Sequence, residues 1–119
     1  MNIHESAEDY LERILMLQEA KGHARSVDIA AGLNVSKPSV SIAMKRLREN
    51  GYITMDSDSL ISLTEKGYAI AKRIYDRHQR LTAYFVQLGV PEAIARRDAC
   101  KIEHDLSDET YAAICRQIR

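Results

Sequence analysis

At Asn50-Gly51 the chain changes its hydrophobic period, and the order of segments on either side of that change narrows the possible folds sharply. Before it, apolar residues recur at helical spacing. Tyr10, Leu11, Ile14, Leu15 and Leu17 mark a first helix from Ser6 to Ala20, with Ser6 as its cap and Asp9 three residues on. Ser26 caps a short second helix that ends near Gly32. Asn34-Val35-Ser36 makes a tight turn, after which Ser36 caps again and Pro38 sits in the first turn, where its missing N–H costs nothing. The third helix buries Val40, Ala43, Met44 and Leu47 and closes at Asn50-Gly51. Tyr52-Ile53-Thr54-Met55 and Leu60-Ile61-Ser62-Leu63 are β-prone runs separated by the polar cluster Asp56 to Ser59, which predicts a hairpin. Helix, helix, tight turn, helix, hairpin is the order of a winged helix-turn-helix.

The remainder returns to the helical period. A long helix runs from Thr64 to Gly89 on Ala69, Ile70, Ile74, Leu81, Tyr84, Phe85 and Leu88. Pro91 opens another carrying Ile94, Ala99 and Ile102, and Ser107 caps a last one containing Tyr111, Ile114 and Ile118, with Cys115 in its core face. The expected fold is mainly α: a winged helix-turn-helix over residues 1–63 and an all-helical module over 64–119. A chain of 119 residues excludes a large multi-domain enzyme and leaves apolar surface for a partner to cover, so oligomerisation is expected. No apolar run approaches the roughly 20 residues of a bilayer span, and the start lacks the pattern of a signal peptide. The two isolated thiols, Cys100 and Cys115, fit a reducing compartment. The expectation is a soluble, cytoplasmic protein with no membrane association.

The 17 Lys and Arg balance 17 Asp and Glu, which taken as a sum argues against a nucleic-acid partner. The distribution reverses that argument. Glu5, Glu8, Asp9, Glu12 and Glu19 accompany only Arg13 in the first segment, whereas residues 36–48 carry Lys37, Lys45, Arg46 and Arg48 and no acid. In a helix-turn-helix the start of the second helix of the pair enters the major groove. Here it offers Ser36, Lys37, Pro38, Ser39, Ser41 and Ile42, with Lys45 and Arg46 one or two turns later. Short hydroxyls approach base edges and phosphates without steric conflict, and the cations add salt-dependent attraction. A basic face alone is often merely solvated. Joined to Ser-x-Pro-Ser-Val-Ser after a tight turn and followed by a wing, it indicates binding of double-stranded DNA.

A second constellation has the spacing of metal ligands. Cys100, Glu103 and His104 stand at i, i+3 and i+4, on one helix face; Asp9 and Glu12 are also i, i+3; His78 lies midway along the long helix. Mixed N, O and S donors point away from Mg and Ca, which prefer oxygen, and toward a divalent first-row metal. Each residue has an ordinary structural role as an alternative, Cys100 as core, Glu103 as a surface pair and His78 as a satisfied half-buried group.

With both motifs in view, the chain resembles the diphtheria toxin repressor family of metal-dependent transcriptional regulators, most closely its manganese transport regulator branch. The resemblance runs through Glu8 to Glu12, Asp28-Ile29-Ala30, Ser39-Val40-Ser41, Leu63 to Gly67, Arg77-His78, Leu88-Gly89-Val90 and Cys100 to His104. It implies a homodimer whose N-terminal winged helix and C-terminal dimerisation module hold metal between them, and a metal-loaded form that represses Mn or Fe uptake genes at a DNA operator. It further implies Asp9, Glu12, His78, Glu103 and His104 as ligands, matching the manganese branch in type. At Cys100 that branch has a glutamate, while the iron branch has a cysteine there but a methionine in place of Asp9. The added thiolate shifts preference from Mn(II) toward Fe(II), Co(II) or Zn(II); Mn(II) and Fe(II) are the foremost candidates. The iron branch's ancillary site has a glutamate where this chain has Thr82 and a histidine where it has Arg96, so the resemblance does not extend to it. The length leaves no room for the iron branch's SH3-like third domain, and the chain stops short of the extra C-terminal helices of the manganese branch.

The expected mechanism is linkage: metal favours the DNA-competent conformer, because Asp9, Glu12 and Glu103 repel one another until a cation neutralises them. Two other classes compete. A metal-independent winged-helix regulator would sense an organic ligand or protein partner, and would bind its operator in the presence of chelator. A hydrolase using Cys100, His104 and Glu103 would need a nucleophile activated by a base and oriented by a third group; spacing along one helix suits shared ligation better, so no enzyme activity is expected.

Overall fold

The computed structural model describes residues 5–118, with side chains from Ala7 onward. These residues form six helices and one antiparallel pair of strands, in the order α1 (Glu5–Lys21), α2 (Ser26–Leu33), α3 (Lys37–Glu49), β1 (Ile53–Met55), β2 (Ile61–Leu63), α4 (Glu65–Gln87), α5 (Glu92–Ile102) and α6 (Asp108–Cys115). They group into two compact units, one through Lys72 and one from Arg73 onward, the division falling within α4.

The first unit is a winged helix-turn-helix. Leu11, Ile14 and Leu15 of α1, Ile29 and Ala30 of α2, and Val40, Met44 and Leu47 of α3 are buried together with Tyr52, Ile53 and Ile61 of the wing. Each helix thus buries one stripe, and α1 packs on α2, α3 and β2. The strands pair Ile53 with Leu63 and Met55 with Ile61. Alternation along so short a hairpin puts Ile53 and Ile61 inward and Thr54 and Ser62 outward. The hairpin is tied to the helices by the Ile61 amide, which donates to the Ala24 carbonyl at 2.9 Å, and by the Gln18 amide, which donates to the Ile61 carbonyl at 3.3 Å. At the wing's tip one Asp56 carboxylate oxygen accepts from the amides of Asp58 and Leu60, both at 2.9 Å. This is the local side-chain turn that favours Asp there.

Thr64 joins wing to α4. Its hydroxyl donates to the Gly51 carbonyl at 2.7 Å and accepts from the Gly67 amide at 3.2 Å, capping the helix. Gly67 is needed at that point because a Cβ would collide with the Tyr52 carbonyl.

The second unit buries Ile74 and Leu81 of α4 with Ala95 and Ala99 of α5. Its polar anchor is Arg77, also buried. One guanidinium nitrogen donates to the Leu106 carbonyl at 3.0 Å, another lies 3.6 Å from the Asp108 carboxylate, and the group stacks 4.6 Å over the Tyr111 ring. Ser107 caps α6 by accepting from the Thr110 amide at 3.1 Å.

Several local expectations need correction. Ser26 is the first residue of α2 rather than its cap: extended Arg25 takes the cap position without a side-chain hydrogen bond, and its carbonyl already accepts from the amides of Asp28 and Ile29. The turn out of α2 is made by left-handed Asn34 (φ 55°), past Gly32, which is inside the helix. The expected Ser6 cap lies outside the described side chains. In α4, Ala69 is exposed and Ala71 is buried, and Leu88, just past the end of the helix, is exposed. Helix α6 buries no residue, so Cys115 is half-buried rather than core, and Ile118 lies beyond the helix. Ile94 is likewise exposed.

Candidate metal centre and nucleic-acid interface

The reading helix α3 begins as its sequence predicts. The Ser36 hydroxyl oxygen accepts from the Ser39 amide at 3.3 Å, and Pro38 occupies the first turn. The Ser36 hydroxyl also meets the Ser39 hydroxyl at 2.8 Å. Opposite the buried stripe, Ser36, Lys37, Pro38, Ser39, Ser41, Lys45 and Arg46 are all exposed. Beside this face, between α2, α3 and the wing, lies an open cleft of about 530 Å³ lined by Arg25, Ser26, Ser41, Lys45, Arg48 and Ser59, among others. Arg25 and Ser59 were not singled out from sequence. Arg48 belonged to a visible basic run, but only folding brings it beside Arg25 and the wing.

The metal-type donors fall in both units. In the first, Asp9 and Glu12 stand one turn apart on α1; Asp9 is half-buried and Glu12 is buried. In the second, donors converge on Glu103, whose side chain is fully buried. A ligand atom of His78 and one of Glu103 lie within 4.8 Å of each other, as do ligand atoms of Cys100 and Glu103. His104, its side chain 4% exposed, places Nε2 3.5 Å from a Glu103 carboxylate oxygen. Cys100, Glu103 and His104 do not all lie within one helix as their spacing implied. Cys100 is in α5, Glu103 caps it with helical dihedrals, and His104 falls in the turn that follows.

The donor chemistry fits a divalent transition metal. A carboxylate taken from water is costly unless its charge is met, and the groups gathered around Glu103 are imidazoles and a thiol, all able to ligate. His78 is already oriented: its Nε2 lies 3.2 Å from the Arg96 carbonyl, an acceptor, so Nε2 is the donor and, in the neutral ring, Nδ1 carries the lone pair. Metal-binding histidines are typically held this way by their second nitrogen. Thr82 donates its hydroxyl to the His78 carbonyl at 2.7 Å, steadying the same turn of α4. The Arg96 side chain is engaged with Glu92. Neither Thr82 nor Arg96 adds an acidic or imidazole donor.

Comparison with known proteins agrees with both halves. Residues 2–61 match the family model described as iron dependent repressor, N-terminal DNA binding domain. Residues 64–119 match the model described as iron dependent repressor, metal binding and dimerisation domain. The chain is 42% identical over 109 residues to the transcriptional regulator MntR of Escherichia coli O6:H1, covering 92% of this chain and 70% of that protein. It is 40% identical over 107 residues to an HTH-type transcriptional regulator of Methanocaldococcus jannaschii, covering 88% and 86%. Among solved structures, a manganese-dependent transcriptional repressor in complex with manganese superposes with a TM-score of 0.84 at 28% identity, over 93% of this chain and 51% of that one. The chain therefore spans about half the length of that solved relative. A winged helix-turn-helix followed by a helical unit rich in metal donors, matched along nearly its whole length by the two domain models, belongs to the iron-dependent repressor family.

Proposed function

We propose that this protein is a metal-dependent, DNA-binding transcriptional repressor that acts as a homodimer on the operators of Mn or Fe uptake genes. The observation that carries the reading is the gathering of His78, Cys100 and His104 around the buried Glu103 carboxylate, in a chain whose other unit is a winged helix. These four residues, with Asp9 and Glu12 from α1, form the proposed ligand set. A bound divalent ion supplies positive charge to carboxylates that otherwise repel one another.

The residues of the chain account for the coupling. Glu103 is held at the end of α5, and the protonated Nε2 of His78 turns Nδ1 toward ligation. Asp9 and Glu12 are on α1, whose buried face packs on α2, α3 and β2, so a shift of α1 carries the reading helix with it. Differential affinity for two placements of α1 is all that linkage requires. Ser36, Lys37, Pro38, Ser39, Ser41, Lys45 and Arg46 contact DNA, and dimerisation sets the separation of two reading helices at about one helical turn, roughly 34 Å. Such a regulator works beside the chromosome, in the cytoplasm; among the described residues no helix is long and apolar enough to cross a membrane.

Cys100 is the departure that bears on the metal. A thiolate among oxygen and nitrogen donors shifts affinity away from the Mn(II) that a carboxylate at that position would suit and toward Fe(II), Co(II) and Zn(II). The test is DNA binding by the purified protein under anaerobic conditions, titrated in parallel with Mn(II), Fe(II), Co(II) and Zn(II). Binding that appears only with metal and vanishes with chelator is expected. Operator binding indifferent to chelator would instead identify a metal-independent regulator.

A further inference from the structure

Ile42, one of the residues that the start of α3 offers to the major groove, has no role in the DNA-binding set given above, and it is the apolar member of that exposed face. Ile42 is 57% exposed, more than any other large hydrophobic residue of the reading head. At about 100° per residue, it points almost directly away from the buried stripe of Val40, Met44 and Leu47. Its exposed neighbours on that face are Ser39, Ser41, Lys45 and Arg46, and the first acid after Ser36 is Glu49, the last residue of the helix. Single exposed hydrophobics are ordinary on protein surfaces. What sets Ile42 apart is its place at the centre of a cationic, hydroxyl-rich surface, about one and two-thirds turns beyond the Ser36 cap, where neither core nor helix neighbours shelter it.

We propose that Ile42 reads sequence, by packing on the C5-methyl group of a thymine in the major groove. This rests on the DNA-binding reading given above and specifies part of what that face recognises. The edges that base pairs present in the major groove are hydrogen-bond donors and acceptors, with one apolar feature, the thymine methyl. Isoleucine carries neither donor nor acceptor, so it gains nothing at guanine, cytosine or adenine edges. It gains burial at a methyl. A β-branched side chain in a helix is nearly confined to one rotamer, so Ile42 presents a fixed apolar surface, while Lys37, Lys45 and Arg46 supply attraction that is indifferent to sequence.

The test uses the full chain loaded with Mn(II) or, anaerobically, Fe(II). Duplexes enriched from a random library define the operator, and each thymine in it is then replaced by deoxyuridine, which lacks only the methyl. At one thymine per half-site the replacement should weaken binding by the wild-type protein roughly three- to five-fold, the effect of exposing about one methyl group. Ile42→Ala should bind the thymine and deoxyuridine duplexes equally, at the level of the wild type on deoxyuridine, with an unchanged circular dichroism spectrum. Lys37→Ala should weaken both duplexes alike and preserve their ratio. If no thymine of the enriched operator responds to replacement, or if Ile42→Ala retains the wild-type ratio at every position, Ile42 does not read a methyl, although the protein still binds DNA. Failure of the library to enrich any duplex with metal overturns the DNA-binding reading and this inference with it.

Discussion

Cys100 is where one side chain has most leverage on what the protein senses. It shares the Glu103 carboxylate with His78, and it is the only sulfur donor in the proposed ligand set. Replacing it by Glu restores an oxygen donor of similar reach. Cys100→Glu is expected to lower the ratio of Fe(II) to Mn(II) affinity on the order of ten-fold, read as the shift between the two midpoints of metal-stimulated DNA binding. Equal midpoints for variant and wild type would remove Cys100 from the site. The other thiol has a different setting. Cys115 hydrogen-bonds Tyr111 and Arg80. Burial first, and that bond second, push the Tyr111 phenol up to about 12 from its usual 10.0. Because the folded-state value is raised, the stabilisation from the neutral phenol is complete below pH 10.0 and is lost as pH climbs toward about 12. Spectrophotometric titration should show one of the six tyrosines ionising last, and Tyr111→Phe should delete that component.

Elements in this chain are held by small, local devices at their ends. The reading helix depends on the Ser36 cap, since the hydroxyl oxygen that accepts from Ser39 satisfies a donor that the helix cannot. Ser36→Ala is expected to cost about 1 kcal/mol, visible as a lower Tm of the first unit, with DNA affinity falling as the first turn frays. The wing is tied to α4 through Thr64 and through the close approach of Gly67 to the Tyr52 carbonyl. There a methyl group has backbone, not a flexible side chain, in its way. Gly67→Ala should destabilise by roughly 1–3 kcal/mol, as overpacked sites do. A thermal melt of Gly67→Ala indistinguishable from wild type would show that wing and helix separate freely.

At the scale of the whole molecule the question is how metal, DNA and a second subunit are coupled. Asp9→Ala and Glu12→Ala should abolish metal-stimulated DNA binding while leaving metal-independent, non-specific binding, because the reading helix itself is untouched; fluorescence anisotropy with and without metal separates the two. The second unit exposes Val86, Leu88 and Ile94, at 44%, 62% and 41%, in the region that matches a dimerisation domain. Leu88→Glu combined with Ile94→Glu is expected to shift the sedimentation of the protein from dimer toward monomer, since a charge in a desolvated apolar interface is costly. Operator affinity should fall with it, as paired half-sites need paired reading heads.

Much of this was written locally in the chain. The hairpin, the Ser36 and Ser107 caps and the stripe of α3 depend on neighbours within a few residues, so turn chemistry and a period of 3.6 or 2 reveal them. The donor types of the proposed ligand set were visible for the same reason, as Cys100, Glu103 and His104 are close in sequence. Other features depend on which surface each element meets. Spacing marked Ala69 and Leu88 as apolar positions of a long helix, but Leu88 falls past its end and it is Ala71 that is buried. Cys115 sat at an apolar position of α6, yet α6 buries nothing and its thiol turns to Tyr111 and Arg80. Arg96 offers no ligand, and it is its backbone carbonyl, invisible to any reading of side chains, that sets the His78 tautomer. Residue identity and spacing thus determined the helices, the wing and the chemical character of the donors. Only the tertiary structure decided which donors converge on Glu103, because burial and orientation are properties of neighbours far apart in sequence.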